Sequence, residues 1–188
     1  MIFEDFFWLA FAVTLKRGER TRESKELKIR IDKDVKDVIS AVLPFKLTAA
    51  QRNVTAQIFN DMKSTTPMNR LLQGDVGSGK TIVAVIAMIA AMENGYQAAL
   101  MAPTEILAEQ HARNIKRLLA KTPYRVELLT GSVRSSDKRK LQQALQAGEI
   151  HACIGTQALI QDAVSFANLG LVVVDEQQQS RWKPAPLY

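Results

Sequence analysis

The sequence predicts an α/β fold in which a mostly parallel β-sheet carries helices on both faces. Short apolar segments alternate with segments of helical periodicity between residues 97 and 174, which is the pattern of strands joined by helical crossovers. A glycine-rich segment at residues 74–81 stands between a short apolar run and an apolar helix. Small and polar residues follow each apolar segment, and ligands of parallel sheets collect at the carboxyl ends of the strands. The observations together predict a ligand site along that edge.

The composition is that of a folded globular chain with a modest basic excess. Of its 188 residues 47% are hydrophobic and 23% are charged, which is enough for one domain with or without an appendage. The net charge of +6 suits a polyanionic partner without requiring one. The single cysteine, Cys153, excludes an internal disulfide and is expected to be an inert core residue of a cytoplasmic protein. The apolar stretch at residues 6–13 is too short for a membrane span, and Glu4 and Asp5 do not fit a secretory signal.

The first 46 residues predict a helical extension ahead of the main domain. Residues Met1–Arg17 predict a helix too apolar to stand free, so we expect it to pack against a neighbouring domain or the core, with a membrane surface as the weaker alternative. Residues 17–28 form a charged linker. A short helix over Asp32–Val42 follows, opened by Asp32 as its cap and stopped before Pro44.

The next helix begins with a capping signature that also permits a second interpretation. Thr48 is placed to cap the helix, and Gln51 stands at the capping-box position three residues later. Taken alone, the cap is the preferred explanation of Gln51. The functional alternative is that Gln51 hydrogen-bonds the edge of an adenine while Phe45 packs on the base.

Residues 74–81 match the G-x-x-x-x-G-K-[ST] pattern of a phosphate-binding loop. The candidate nucleotide-binding residues are Gly74, Asp75, Val76, Gly77, Ser78, Gly79, Lys80 and Thr81. The glycines let the backbone turn tightly and direct N–H groups at an anion, and the helix starting near Lys80 aims its positive end at the same place. Lys80 supplies a charge for the β- and γ-phosphates, and the Thr81 hydroxyl is a ligand for Mg²⁺. A short strand at Leu71–Leu72 and a helix over Ile82–Met92 are expected on either side.

Four further strands are expected after the loop. They are predicted at 97–101, 125–129, 151–154 and 169–174, with helices at 105–120 and 137–146 and a short helix after 157. The last strand ends at Asp175 and Glu176. A carboxylate there can share a Mg²⁺ ion with Thr81, and the adjacent carboxylate can orient and deprotonate the attacking water. We therefore predict Asp175 as a metal ligand and Glu176 as the general base, with Lys80 completing the catalytic set.

Three of the strand ends carry hydroxyl or glycine residues that suit a sugar-phosphate backbone. The candidate DNA-contacting residues are Thr104, Thr130, Gly131, Thr156 and Gln157. Each loop is equally explained as a helix cap, and the occurrence of all three on one edge favours nucleic acid. Basic side chains that could extend this surface, or form a solvated helix face, are Arg113, Lys116, Arg117, Arg134, Lys138, Arg139 and Lys140. His111 is expected to be a polar helix-face residue, and no Cys/His spacing indicates zinc.

Several of these segments resemble the first motor lobe of the RecG family of superfamily 2 DNA helicases. They are LLQGDVGSGKT at 71–81, MAPTEILAEQH at 101–111, TGS at 130–132, GTQALIQ at 155–161 and VVDEQ at 173–177. The segment LPFKLT at 43–48, with Gln51, resembles the part of the family that precedes the lobe. The transcription-repair coupling factor and the primosomal helicase share the lobe but differ more around the phosphate loop and the Asp-Glu pair.

The resemblance implies a RecA-like ATP-binding lobe over residues 47–178. It implies ATP and Mg²⁺ as cofactors, bound by residues 74–81, and hydrolysis by Asp175 and Glu176. It assigns Gln51 to the adenine and the loops at Thr104, Thr130 and Thr156 to DNA or to coupling. The implied activity is ATP-driven remodelling of branched DNA, such as replication forks and Holliday junctions, during repair and recombination in the bacterial cytoplasm.

The sequence departs from the family in three respects. Gln178 stands where the family usually has a histidine that couples hydrolysis to DNA, and residues 179–188 no longer resemble it. The wedge domain and the second motor lobe, which supplies an arginine finger, are absent, so the chain alone is expected to hydrolyse ATP weakly or not at all. The family also places a further strand between those of the phosphate loop and Asp175, so the sheet is expected to be incomplete and the chain marginally stable or weak in ATP binding. The alternatives are a generic phosphate-loop NTPase or kinase, and a non-catalytic ATP- or DNA-binding fragment.

Overall fold

The computed structural model describes residues 27, 29–75, 77–160 and 164–175. In chain order its elements are helices α1 (Lys33–Val42), α2 (Ala49–Lys63) and α3 (Lys80–Glu93), strand β1 (Gln97–Met101), helix α4 (Glu105–Leu118), strand β2 (Val126–Leu129), helix α5 (Ser135–Gln146), strand β3 (Ala152–Gly155), a 3₁₀ turn (Gln157–Ile160) and strand β4 (Leu169–Val174). Outside the described residues lie the predicted helix at 1–17, Val76, Glu176, Gln178 and the tail at 179–188. Among the helices described, none has the length and apolar character needed to cross a membrane.

The four strands form one parallel sheet in the order β2-β3-β1-β4. Ala99 in β1 pairs with Cys153 in β3 and with Val172 in β4, while Glu127 in β2 pairs with Cys153, so one row of side chains crosses the whole sheet. Parallel strands need crossover connections: helix α4 joins β1 to β2, and helix α5 joins β2 to its neighbour β3. The predicted α/β fold with a parallel sheet is confirmed.

Helices cover both faces of the sheet, because successive residues of a strand point to opposite sides. On one face, Leu100 and Ile154 belong to a large core that also contains buried residues of helices α1 to α4. On the other face, Leu129 and Cys153 pack with buried residues of α5 and the 3₁₀ turn. Burial raises the pKa of the Cys153 thiol to about 12, which fits the predicted inert core cysteine.

Helix α3 is the central helix of the larger core. Nearly every residue from Val83 to Met92 is buried, and the helix contacts α1, α2, β1 and β4. A helix that is apolar on all sides is stable only when it is enclosed in this way. The enclosure fixes the start of α3, at Lys80, beside the carboxyl ends of β1 and β4.

Several element boundaries differ slightly from the predicted ones, including those of helix α3, which spans Lys80–Glu93 instead of Ile82–Met92. Helix α4 ends at Leu118, two residues before the predicted end. Helix α5 begins at Ser135 instead of Asp137, because the carbonyl oxygen of Arg134 already accepts from the backbone N–H groups of Asp137 and Lys138 at 3.0 and 2.9 Å. Both helices otherwise lie where the periodicity placed them.

The prediction of a short strand at Leu71–Leu72 is wrong. Residues 69–73 adopt no strand, and Leu71 is 78% exposed. Within the described residues the sheet ends at β4, whose Val172 and Val174 are 55% and 44% exposed. An apolar run becomes a strand only where a hydrogen-bonded neighbour satisfies its backbone, and none of the described strands lies beside residues 69–73.

Candidate nucleotide-binding site

The phosphate-binding loop is a tight turn that leads directly into helix α3. The backbone N–H of Ser78 donates to the carbonyl oxygen of Asp75 at 3.1 Å, which closes the turn. Gly77 and Gly79 have φ values of +82° and +81°, in the left-handed region that residues with a Cβ rarely adopt. Gly79 is also the N-cap of α3, so the loop ends where the first free N–H groups of the helix begin.

The ammonium group of Lys80 lies inside the loop. Its Nζ donates to the carbonyl oxygens of Gly74 and Asp75 at 2.7 and 2.9 Å. A compact cation held by backbone carbonyls stabilises the curved loop, and a phosphate group would offer the same cation stronger, charged acceptors. The lysine therefore lies within the loop that is predicted to bind the triphosphate.

Gln51 connects helix α2 to the phosphate loop. The predicted capping box is present, since the N–H of Gln51 donates to the Thr48 hydroxyl at 3.2 Å and the Thr48 N–H donates to Gln51 Oε1 at 3.0 Å. In addition, Gln51 Nε2 donates to the carbonyl oxygen of Ser78 at 2.9 Å. The cap and a contact at the nucleotide site are therefore compatible, because different atoms of one side chain make them. Exposed Phe45 lines the same cavity as Gly79 and Lys80.

The link between Gln51 and the loop predicts different effects for two glycine substitutions. Gly77→Ala places a Cβ in open space, so it carries only the left-handed penalty of about 1–2 kcal/mol. Gly79→Ala carries the same penalty, and its Cβ also clashes with Gln51 Nε2. We expect Gly79→Ala to weaken binding of a fluorescent ATP analogue more than Gly77→Ala does, as measured by titration.

A double-mutant cycle separates the two causes. In a Gln51→Ala background, the penalty of Gly79→Ala should fall to that of Gly77→Ala, because the clashing amide is gone. Equal penalties for the two glycine substitutions in the wild-type background would contradict this account.

The acidic end of β4 lies in the same cavity as the phosphate loop. This cavity has a volume of about 1170 Å³ and is lined by Lys80, Thr81, His111 and Asp175, together with residues of α1 and α4. The Asp175 backbone N–H donates to the carbonyl oxygen of Met101 at 2.8 Å, which fixes its Cα at the end of β1. The sequence-predicted residues Lys80, Thr81 and Asp175 thus line one cavity. Glu176 lies outside the described residues.

The donor set suits magnesium better than a transition metal. Mg²⁺ is usually held by one or two carboxylates and by substrate phosphates, and it keeps several waters. One carboxylate from Asp175 and one hydroxyl from Thr81 fit that requirement. Within the described residues there is no cluster of three or more His, Cys, Asp or Glu side chains that could hold a metal without a nucleotide.

His111 is a residue of the site that the sequence reasoning missed. It was expected to be a polar helix-face residue, but its Nε2 lies 2.6 Å from Asp175 Oδ2. The available signal was its position on α4, one turn from the buried Ala108 and Ile115, which places it at the margin of the buried stripe. Nothing in the sequence pattern indicated which residue it would meet there.

Two of the predicted DNA-contacting residues have structural partners. The Thr104 hydroxyl accepts from the Leu107 N–H at 3.3 Å, so Thr104 caps α4 as the alternative interpretation proposed. Thr130 is 1% exposed, and its hydroxyl lies 2.9 Å from that of Ser132. We therefore drop the Thr130 side chain as a DNA contact, because a buried and hydrogen-bonded hydroxyl cannot reach a ligand outside. The sequence pattern could not show that Thr130, the residue after β2, is buried like the end of that strand.

The remaining candidates lie on one edge of the sheet. Gly131 and Gln157 are exposed, and Thr156 is half-buried, just beyond the carboxyl ends of β2 and β3. Glu105 Oε1 accepts from the Ser132 N–H at 3.2 Å. This hydrogen bond thus connects the loop after β1 to the loop after β2.

The predicted basic surface divides between the two ends of the sheet. Arg134, Arg139 and Lys140 are exposed on the first half of α5, next to the carboxyl end of β2. Lys116 lies in the last turn of α4, which has run back toward the other edge, and it pairs with Glu127 at 3.0 Å. Only the α5 group is well placed to extend the candidate DNA-facing edge.

Comparison with known proteins places the chain in a family. Residues 48–183 match the DEAD/DEAH box helicase family. The ATP-dependent DNA helicase RecG of Synechocystis is 44% identical over 179 residues, covering 95% of this chain and 22% of the relative. RecG of Staphylococcus epidermidis strain RP62A is 53% identical over 166 residues, covering 88% and 24%. The chain thus spans about a quarter of the length of these curated relatives.

Two solved structures are also similar. A structure of RecG bound to a three-way DNA junction has a TM-score of 0.85 at 45% identity, covering 96% of this chain and 24% of that one. A hypothetical ATP-dependent RNA helicase from Sulfolobus tokodaii has a TM-score of 0.56 at 17% identity, covering 78% and 41%, which indicates a shared fold. The chain belongs to the DEAD/DEAH box helicase family, and within that family it is a relative of the RecG helicases.

Proposed function

We propose that the chain is the ATP-binding first motor lobe of a RecG-type DNA helicase that remodels branched DNA. The observation that carries this proposal is that Lys80 and Thr81, at the start of α3, line the same cavity as Asp175. The solved RecG bound to a three-way DNA junction supports branched DNA as the substrate. Replication forks and Holliday junctions are the proposed targets, in cytoplasmic DNA repair and recombination.

Each residue of the site has a distinct proposed role in binding or hydrolysing ATP. The backbone of residues 74–79 and the Lys80 ammonium would hold the β- and γ-phosphates of ATP. Thr81 and Asp175 would hold Mg²⁺, which when bound neutralises charge on the phosphates. Gln51 and Phe45 would contact the adenine. Because Gln51 also hydrogen-bonds to Ser78, binding of the adenine would be linked to the phosphate loop. Glu176, next in the chain, would orient and deprotonate the attacking water.

DNA would lie along the carboxyl edge of the sheet. Thr104, Gly131, Thr156 and Gln157 are the proposed contacts, through backbone N–H groups as well as side chains. The exposed basic residues at the start of α5 would add phosphate contacts that are independent of base sequence.

A non-catalytic role for this chain alone is the second candidate. Residues 69–73 pair with none of the described strands, and Val172 and Val174 of β4 are exposed, which indicates that the sheet beside the site lacks part of its support. In the family the arginine finger comes from the second lobe, and such a group contributes about 10³–10⁵ in rate. The isolated chain is therefore proposed to bind ATP with little or no turnover.

A chimeric helicase tests the proposed function. Residues 1–175 of this chain would replace the matching segment of RecG from Staphylococcus epidermidis, to which the chain is 53% identical over 166 residues. We expect ATP hydrolysis by the chimera to be stimulated by a three-way DNA junction, and to be lost in an Asp175→Asn control. The chain itself should bind a fluorescent ATP analogue.

The outcomes distinguish the candidates. A chimera that hydrolyses ATP at a rate unchanged by DNA would favour a generic phosphate-loop NTPase. If the chain binds the ATP analogue but the chimera is folded and does not hydrolyse ATP, the non-catalytic role is favoured. A chain that binds no nucleotide would overturn the assignment of residues 74–81.

A further inference from the structure

The contact between His111 and Asp175 joins a helix to the predicted metal ligand across 64 residues of sequence. The two atoms, His111 Nε2 and Asp175 Oδ2, are 2.6 Å apart, which is a short hydrogen bond. A carboxylate only accepts, so the imidazole Nε2–H donates. Both side chains are largely shielded from solvent, at 12% and 26% exposure, and both line the cavity that also contains Lys80 and Thr81.

The backbone of His111 is held in place by the residues around it on α4. Ala108, Ala112 and Ile115 are buried against the sheet and form the inner stripe of the helix. Leu107, one turn before His111, also packs on that core. A side chain at the margin of such a stripe has few rotamers available, so the imidazole presents a fixed donor to Asp175.

We infer that His111 is a positioning residue that sets the orientation of the Asp175 carboxylate for Mg²⁺. The bond engages Oδ2 and restricts rotation of the carboxylate, which favours Oδ1 as the oxygen that binds the ion. Hydrogen bonds of this kind to a ligating carboxylate commonly change metal affinity by about 10–100-fold. The inference rests on the proposed function, because it needs Asp175 to be the metal ligand.

The test measures how much Mg²⁺ strengthens nucleotide binding by the full chain. A fluorescent ADP analogue is titrated in saturating Mg²⁺ and again in EDTA, and the ratio of the two Kd values gives the metal-dependent gain. We expect His111→Ala to reduce this gain by roughly tenfold while leaving the Kd in EDTA unchanged. Mn²⁺ binding in the presence of ADP, followed by electron paramagnetic resonance, should weaken in parallel.

Two matched variants separate positioning from general damage. His111→Gln carries an amide nitrogen near the position of Nε2, so it should recover most of the gain. His151→Ala removes the other histidine, whose Nδ1 accepts from the Arg125 N–H at 3.0 Å beside the amino end of β3, and it should leave the gain unchanged. Thermal melts of the variants check that each is folded.

The outcomes are distinct from those of the proposed function. If His111→Ala and His111→Gln are folded and keep the full metal-dependent gain, the positioning role is wrong while the metal site stands. If His111→Ala weakens binding equally in Mg²⁺ and in EDTA, the gain is unchanged and the residue is only structural. If His111→Ala lowers the gain but His111→Gln does not recover it, positioning through a donated hydrogen bond is wrong. If the wild-type chain shows no metal-dependent gain, both the proposed metal site and this inference are overturned.

Discussion

Replacing Lys80 by alanine is expected to weaken ATP binding by about 10–100-fold, the effect of losing one hydrogen bond to a charged group worth about 1.5–3 kcal/mol. In the structure the ammonium already lies within the loop, bonded to the carbonyl oxygens of Gly74 and Asp75. Its removal takes away both the cation that faces the phosphates and an internal support of the curved backbone. Titration of the chain with a fluorescent ATP analogue at roughly 0.15 M salt, close to physiological ionic strength, measures the change.

Two further substitutions make the test of Lys80 specific. Lys80→Arg keeps the charge but replaces a compact ammonium by a planar fork, so it should also bind ATP poorly. Lys140→Ala removes the same charge from the exposed face of α5 and should leave ATP affinity unchanged. An affinity for ATP within about twofold of wild type in Lys80→Ala would contradict the proposed role, since a charge-assisted bond is worth more than that.

Replacing Ile154 by alanine is expected to destabilise the fold by about 2–5 kcal/mol, the usual effect of deleting a large buried aliphatic side chain. Ile154 is fully buried in β3, paired with Leu100 on one side and with Leu128 on the other. The neighbouring strands are held by backbone hydrogen bonds, so they cannot collapse far into the resulting cavity. Because domains have a net stability of about 5–15 kcal/mol, the loss is a large fraction of the total.

Equilibrium unfolding in urea measures this loss, and an exposed isoleucine supplies the matched control. Ile106 is 77% exposed at the start of α4, so Ile106→Ala should change the free energy of unfolding by less than about 0.5 kcal/mol. An equal loss of unfolding free energy in the two variants would show that Ile154 does not stabilise the fold through its burial in the core. An unfolding midpoint at low urea concentration in wild type would support the expectation of a marginally stable chain.

Both substitutions act on the same structural unit. The phosphate loop has its position because α3 begins at Lys80, and α3 is enclosed by the core to which Ile154 belongs. A destabilised core should therefore lower ATP affinity indirectly, by reducing the folded population, while Lys80→Ala should lower ATP affinity with a much smaller change in the urea midpoint. Measuring both quantities on both variants separates the two effects.

The parts of the site that the sequence predicted are those encoded by neighbouring residues. The phosphate-loop pattern located the turn at 74–81, the capping box located the start of α2, and apolar runs located all four paired strands. The strand prediction failed at Leu71–Leu72, where the residues favour a strand but no described neighbour pairs with them. Local propensity thus sufficed wherever the tertiary fold supplied the expected partner.

The sequence by itself determined the fold class, the family resemblance and the position of the loop, because periodicity and short motifs are properties of adjacent residues. Tertiary structure alone decided that Gln51 bonds to Ser78, 27 residues away, and that His111 bonds to Asp175, 64 residues away. It also decided that Thr130 is buried and that its hydroxyl lies 2.9 Å from the hydroxyl of Ser132. Such contacts depend on how helices pack on the sheet, and packing is fixed only when the whole core assembles.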